Sequence, residues 1–391
     1  MPSATAYVRA TGMPVEWEWV DLAQTTLFLE GDVRWRNRGG GYLTDQNSSR
    51  VTGALFVSVL SKWLLDAWVA SVVMTWAAWC ACVWSVVALV RRSSWIGITE
   101  IGRCASVMTA LVLTVTASGF LGFVGDIDVH VVGYAGAAMG ILLVLCWTGG
   151  SSIHRDRPYV RPEVVGVSLF LLDGTLQLGL PLSALVCCMF VYHMLFGPSS
   201  GRLVSVSKAS RMFSSFSVCW FLWWLLARIG SDGQFEFHNE AIARSREALS
   251  DLIALGNTLT GKVTGVLGIA LSLFEWWMIV PAVLGWIVAD WETRFWTFAW
   301  FGLIVGATLL TRYTASTVYL VFPSLYVLAS IGAGAIAELG RRVVPRSREA
   351  GYVNVLISIG SASLVSLVPA VSQLAFIWGD YTMPAVWWPG P

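Results

Sequence analysis

Residues 316–348 read STVYLVFPSLYVLASIGAGAIAELGRRVVPRSR. An apolar run over 316–339 is closed by Arg341, Arg342, Arg346 and Arg348. A helix crosses a bilayer with about 20 consecutive apolar residues, and arginines gather at the cytoplasmic end of such a span. The same unit recurs along the chain. Apolar runs near or at spanning length occur at about 68–90, 104–124, 129–147, 163–178, 180–197, 212–230, 263–287, 295–311, 316–339 and 353–378. Backbone in lipid must satisfy its own hydrogen bonds, so such runs are expected to be helical.

Composition agrees. The chain is 56% hydrophobic and 13% charged over 391 residues. Soluble domains carry about 25% charged residues. A formal net charge of +1 gives no electrostatic case for a nucleic-acid partner. Many of the 22 Trp, among them Trp68, Trp147, Trp291 and Trp296, stand at run ends, where indoles favour the headgroup layer. The 7 Cys lie in or beside apolar runs without metal or redox spacing, and read as small buried apolar residues.

Positive charge orders the connections. Arg91, Arg92 and Arg103 form one basic set; Arg155, Arg157 and Arg161 the next; then Arg202, Lys208 and Arg211; then Arg294; then Arg341, Arg342, Arg346 and Arg348. These connections alternate with short ones that are almost free of basic residues. The positive-inside rule puts the basic set in the cytoplasm and gives an all-α, polytopic transmembrane bundle of about ten spans. The expected organisation is an extracytoplasmic amphipathic region over 1–66, a bundle over 67–378 with an extracytoplasmic loop at 231–262, and an extracytoplasmic tail over 379–391. Residues 16–30 have helical character, 53–67 read as a second amphipathic helix entering the first span, and 236–260 have the pattern of a helix lying on the membrane surface. The first 50 residues contain no apolar h-region of a signal peptide. The expected location is a bacterial inner (plasma) membrane.

Three groups on the expected outer side could carry chemistry. Glu16, Glu18 and Asp21, with Asp32 and Asp45, are acidic positions of the N-terminal region. Gly125-Asp126-Ile127-Asp128-Val129-His130 joins two spans. Arg312-Tyr313 follows the eighth run. An arginine can hold a lipid phosphate in a charge-assisted fork. A carboxylate can act as base on an acceptor hydroxyl, or with a neighbour such as the Asp126, Asp128 pair hold a divalent metal. Each has a plainer alternative as a solvated, capping or anchoring residue. Glu275, near the middle of the seventh run, is an intramembrane polar candidate and would be the key residue of a transporter. Asp173 stands in another apolar run, and Asn47-Ser48-Ser49 matches the N-glycosylation triplet.

Three stretches resemble the GT-C superfamily of polyprenyl-phosphate-sugar-dependent glycosyltransferases, of the protein mannosyltransferase and aminoarabinose transferase type. TRYTASTVYLVFPSLYVLASIGAGAIAEL, residues 311–339, is similar to the family's late arginine-tyrosine segment with its Pro-containing helix. DLAQTTLFLEGDVRW, residues 21–35, resembles its first outer loop, and SGFLGFVGDIDVHVVGYAGAAMGILLVL, residues 118–145, its second. The resemblance implies a transferase that moves a sugar from a polyprenyl-phosphate donor to an extracytoplasmic acceptor. Glu16, Glu18 or Asp21 would be the base, Asp126 or Asp128 a second acid, and Arg312 with Tyr313 the donor-phosphate contact. Two departures stand beside it. No span precedes the first outer loop, and the family's paired acids fall on Val15-Glu16, leaving one acid. These departures favour a second reading, a non-catalytic accessory subunit of a larger membrane complex. Expected partners are membrane lipids, the lipid-linked donor and other membrane subunits. The third reading is a transporter.

Overall fold

A computed structural model describes residues 67–93, 95, 98–116, 129–148, 161–176, 179–196, 206–230, 278–310, 319–343, 352–353 and 356–363. Among the described residues the structure is all helical apart from one isolated β-bridge. The helices are α1 (Ala67–Arg92), α2 (Glu100–Thr116), α3 (Val129–Thr148), α4 (Pro162–Leu176), α5 (Gly179–Phe196), α6 (Val206–Gly230), α7 (Ile279–Val288), α8 (Trp291–Leu310) and α9 (Phe322–Val343). A 3₁₀ turn, Tyr319–Val321, leads into α9, and residues 356–363 are also helical.

α1, α3, α4 and α5 begin within one residue of their apolar runs, and of the seventh run, 263–287, the described part begins at Met278, just before α7. α2 starts at Glu100, four residues before its apolar run, and α6 starts at Val206, six before its own. A charged residue can continue a helix when its side chain reaches out to a polar layer. α9 likewise runs past its apolar stretch through Arg341 and Arg342. The stretch Phe322–Arg342 is long and apolar enough to cross a membrane, and 83% of its most apolar window is covered by protein. Gly133–Thr148, Pro181–Phe196 and Ile279–Val288 are shorter apolar stretches.

The chain divides into two compact units: Met1–Cys82 with Phe123–Asp251, and Val83–Gly122 with Leu252–Pro391. In the first, α3 packs on α4 and α5, and α4 packs on α6. Tyr134, Ala137, Ala138, Ile141 and Leu145 of α3 are buried with Leu182 and Leu185 of α5. The α4–α6 crossing is close because Gly166 has no side chain. A Cβ there would stand 2.3 Å from the Met212 carbonyl oxygen. Phe170 meets Trp220 edge to face across the same pair, with ring centroids 5.1 Å apart.

In the second unit α9 is central and packs against both α2 and α7. Its small residues make both approaches possible. A Cβ on Gly332 would fall 1.9 Å from the Pro281 carbonyl oxygen of α7, and one on Gly334 would fall 2.6 Å from the Gly102 carbonyl oxygen of α2. Small residues let helix backbones approach where bulkier ones would hold them apart. α2 presents Gly102, Ala105, Ser106, Thr109, Ala110, Leu113 and Thr114 as its buried face. That is the i, i+3, i+4, i+7 spacing of one helix stripe. Ser106 and Thr109 satisfy their buried hydroxyls by donating to the carbonyls four residues back, at 2.9 and 2.8 Å.

Candidate functional site

The polar chemistry of the second unit gathers at one end, where α1 and α9 finish, α2 and α8 begin, and α7 gives way to α8. Helix ends are where backbone groups lack partners and where charge is most useful. α1 stops at Arg92, and Ser93 donates its hydroxyl to the Leu89 carbonyl at 2.9 Å. The chain then crosses through Trp95, which is buried and forms the antiparallel bridge with Ala289. Arg92 reaches Glu292 of α8 at 3.3 Å. Asp290 caps α8 by accepting the Thr293 backbone N–H at 2.8 Å.

Glu338 is the centre of this end. Its side chain is only 8% exposed. Oε1 accepts the Thr99 backbone N–H at 3.0 Å and the Thr99 hydroxyl. Oε2 faces Arg341 Nε at 3.3 Å. Gly102 makes the room: a Cβ there would come within 2.9 Å of Glu338 Oε1. The carboxylate of α9 therefore sits over the first turn of α2, where it complements the positive end of that helix. Both oxygens are engaged within the protein, so Glu338 acts as a joint between helices. Beside it, Ser358 donates to the Ile101 carbonyl at 3.4 Å.

Arg294, one turn into α8, is held differently. Its guanidinium carbon stands 5.7 Å from the Trp286 ring centre and 5.2 Å from that of Trp291. Nη2 donates to the Ile287 carbonyl, an end carbonyl of α7. Such cation–π contacts favour an arginine over a lysine.

The first unit has its own charged joint. Arg211 of α6 donates through Nε to Glu163 Oε1, in the first turn of α4, at 2.6 Å. Their side chains are 57% and 39% exposed.

Within each unit these contacts join connections that the sequence assigns to one side. Arg92, Arg294 and Arg341 belong to three basic connections that meet in the second unit. Arg161 and Arg211 flank the Glu163 joint in the first.

The residues singled out for chemistry are not among these. Glu16, Glu18, Asp21, Asp32, Asp45, Asn47, Asp126, Asp128, Glu275, Arg312 and Tyr313 all lie outside the described residues. So do the helix expected at 16–30 and the surface helix expected at 236–260. Asp173 falls in α4, half-buried. Among the described residues no group of three or more His, Cys, Asp or Glu could hold a metal ion. Glu338 and Thr99 were not singled out as site residues in the sequence. The available signal was a lone carboxylate one turn before an arginine pair at the end of an otherwise apolar helix.

The class these findings define is an all-α protein built from closely packed apolar helices with charged joints at their ends. Comparison with known proteins returns no matching family model, no matching curated protein and no matching solved structure.

Proposed function

We propose that this chain is a multi-pass membrane protein of about ten spans. In this reading it transfers a sugar from a polyprenyl-phosphate donor to an extracytoplasmic acceptor. The observation that carries the membrane half is the outward face of the helices. Val191, Met194, Leu195 and Phe196 on α5, Val218, Phe221 and Leu222 on α6, and Val280, Val283 and Ile287 on α7 are large, apolar and exposed. Apolar faces of that extent mark a surface that meets something other than water. Charge is concentrated at helix ends, as the polar layers of a bilayer require.

The transferase half rests on the resemblance of residues 21–35, 118–145 and 311–339. Arg312 then holds the donor phosphate, with Tyr313 beside it in sequence. Glu16, Glu18 or Asp21 serves as base, and Asp126 or Asp128 supports the acceptor or a divalent metal. α8 supports the role given to Arg312: it starts among the charges of Asp290 and Glu292 and ends at Leu310, two residues before that arginine. Its 20 residues span about 30 Å, the thickness of a hydrocarbon core.

The test is sugar transfer in membranes from a labelled polyprenyl-phosphate sugar. Arg312→Ala is expected to lower transfer at least about 100-fold, the scale of a lost charge clamp on a reacting phosphate. Unchanged transfer would remove Arg312 from the donor site. The second reading, a non-catalytic accessory subunit, is favoured by one observation. The buried carboxylate of the described helices, Glu338, has both oxygens committed to a joint. Wild-type protein that shows no transfer but copurifies with a defined membrane assembly would establish it.

A further inference from the structure

We propose that the corner between α7 and α8 binds the phosphate headgroup of an anionic phospholipid, with Arg294 as the phosphate contact. The proposal rests on the membrane reading above and is independent of the transferase reading.

Arg294 carries five N–H donors. One is used by the Ile287 carbonyl, and Nε is covered and meets no acceptor among the described residues. The acids closest in sequence are committed elsewhere. Asp290 caps Thr293, and Glu292 faces Arg92. Among the described residues Arg294 pairs with no carboxylate. It is a fixed cation whose remaining Nη donors suit a phosphate oxygen, the ligand a guanidinium fork recognises best.

The surroundings specify a lipid as the source of that phosphate. The two indoles that hold Arg294 are themselves open, Trp291 at 74% and Trp286 at 44% exposure. Tryptophan at the surface of an apolar helix pair marks the headgroup level. Along α7 the exposed Val280, Val283 and Ile287 follow at i, i+3 and i+7, one continuous apolar stripe that ends at the arginine. It spans about 10 Å at the helical rise. A phosphate on Arg294, the glycerol region beside the indoles and an acyl chain along the stripe would each meet matching chemistry. Arg294 also belongs to the basic set expected in the cytoplasm, where the leaflet is rich in anionic lipid.

The experiment uses the full chain purified in a mild non-ionic detergent. Native mass spectrometry compares retention of phosphatidylglycerol with that of phosphatidylcholine of the same acyl chains. Wild type is expected to retain phosphatidylglycerol preferentially. Arg294→Gln is expected to reduce that retention about fivefold, the scale of one cation near anionic headgroups, and to leave phosphatidylcholine unchanged. Arg91→Gln removes an exposed arginine of the same basic set that stacks on no ring among the described residues, and should leave retention within about twofold.

Trp291→Leu guards against a folding artefact, because that ring is at the surface. It should lower retention about threefold, as loss of one cation–π partner implies. Full retention in both the Arg294 and Trp291 variants overturns the site, as does an equal loss in Arg91→Gln. If the chain instead fractionates without detergent as a soluble protein, the membrane reading falls and the site falls with it. A membrane-bound chain with unaltered variants sinks the site alone.

Discussion

Glu163 and Glu338 do the same job in opposite surroundings. Each is a carboxylate placed at the first turn of a helix, with an arginine against it. Glu163 sits in the first turn of α4 and meets Arg211 in the open. Glu338 reaches from α9 to the first turn of α2 and is almost sealed from solvent. In water an ion pair gains little, because both charges are well solvated when apart. Away from water an unmatched charge is expensive, so a joint there holds only when every donor and acceptor is placed. Both units bring helix backbones close at glycines, Gly166 in the first and Gly332 and Gly334 in the second; the second adds a buried, fully matched polar joint where the first has a charged fastening on its rim.

The strongest way to break the contrast is Gly332→Val. A side chain at that point meets the backbone of α7, which cannot turn aside as a flexible side chain could. The expected result is loss of folded protein, read as the disappearance of the monodisperse peak in detergent chromatography. Overpacking of this kind costs several kcal/mol, about 3 or more. Next comes Glu338→Ala, which strands the Thr99 N–H and the Arg341 guanidinium. It should destabilise the protein by about 3 kcal/mol, measured by thermal unfolding in detergent. Glu338→Gln keeps an acceptor for Thr99 and should cost less. If the two substitutions cost the same, the charge rather than the hydrogen bond holds the joint.

Smaller effects sharpen the comparison. Asp290→Ala removes the cap of α8 and should cost about 1 kcal/mol. Glu163→Ala should shift unfolding least of all, and lose even that in high salt, because the pair is exposed. An unfolding shift for Glu163→Ala as large as that for Glu338→Ala would erase the distinction between the units.

The helices were legible in the sequence because apolar runs are long and their ends are marked. Runs at 68–90, 129–147 and 180–197 match α1, α3 and α5 to within two residues at each end. The starts of α2 and α6 were less legible. Glu100, Arg103, Lys208 and Arg211 look like loop to an apolar window, yet they are helical, and Arg211 there meets Glu163 of α4. The 3₁₀ turn before α9 was also folded into its apolar run, since Tyr319, Leu320 and Val321 carry no breaker. Pro323 gives no break either, because its missing N–H falls in the first helical turn, where no intrahelical partner exists. The Glu338 joint was illegible for a different reason. Its partner, Thr99, is 239 positions away, and nothing local to either residue announces the other.

That separation sets the order in which the second unit can be completed. During synthesis α2 leaves the ribosome well before α9, the helix that supplies its capping carboxylate and its close-packed neighbour, since Thr99 and Glu338 are 239 positions apart. Until α9 arrives, the stripe of glycine, alanine, serine and threonine on α2 has no close-packed neighbour, and α7 lacks the Gly332 notch into which Pro281 fits. Ribosome stalling or proteolysis before about residue 343 would leave both helices without the element that unites them, so a chaperone or insertase has most to protect in that interval.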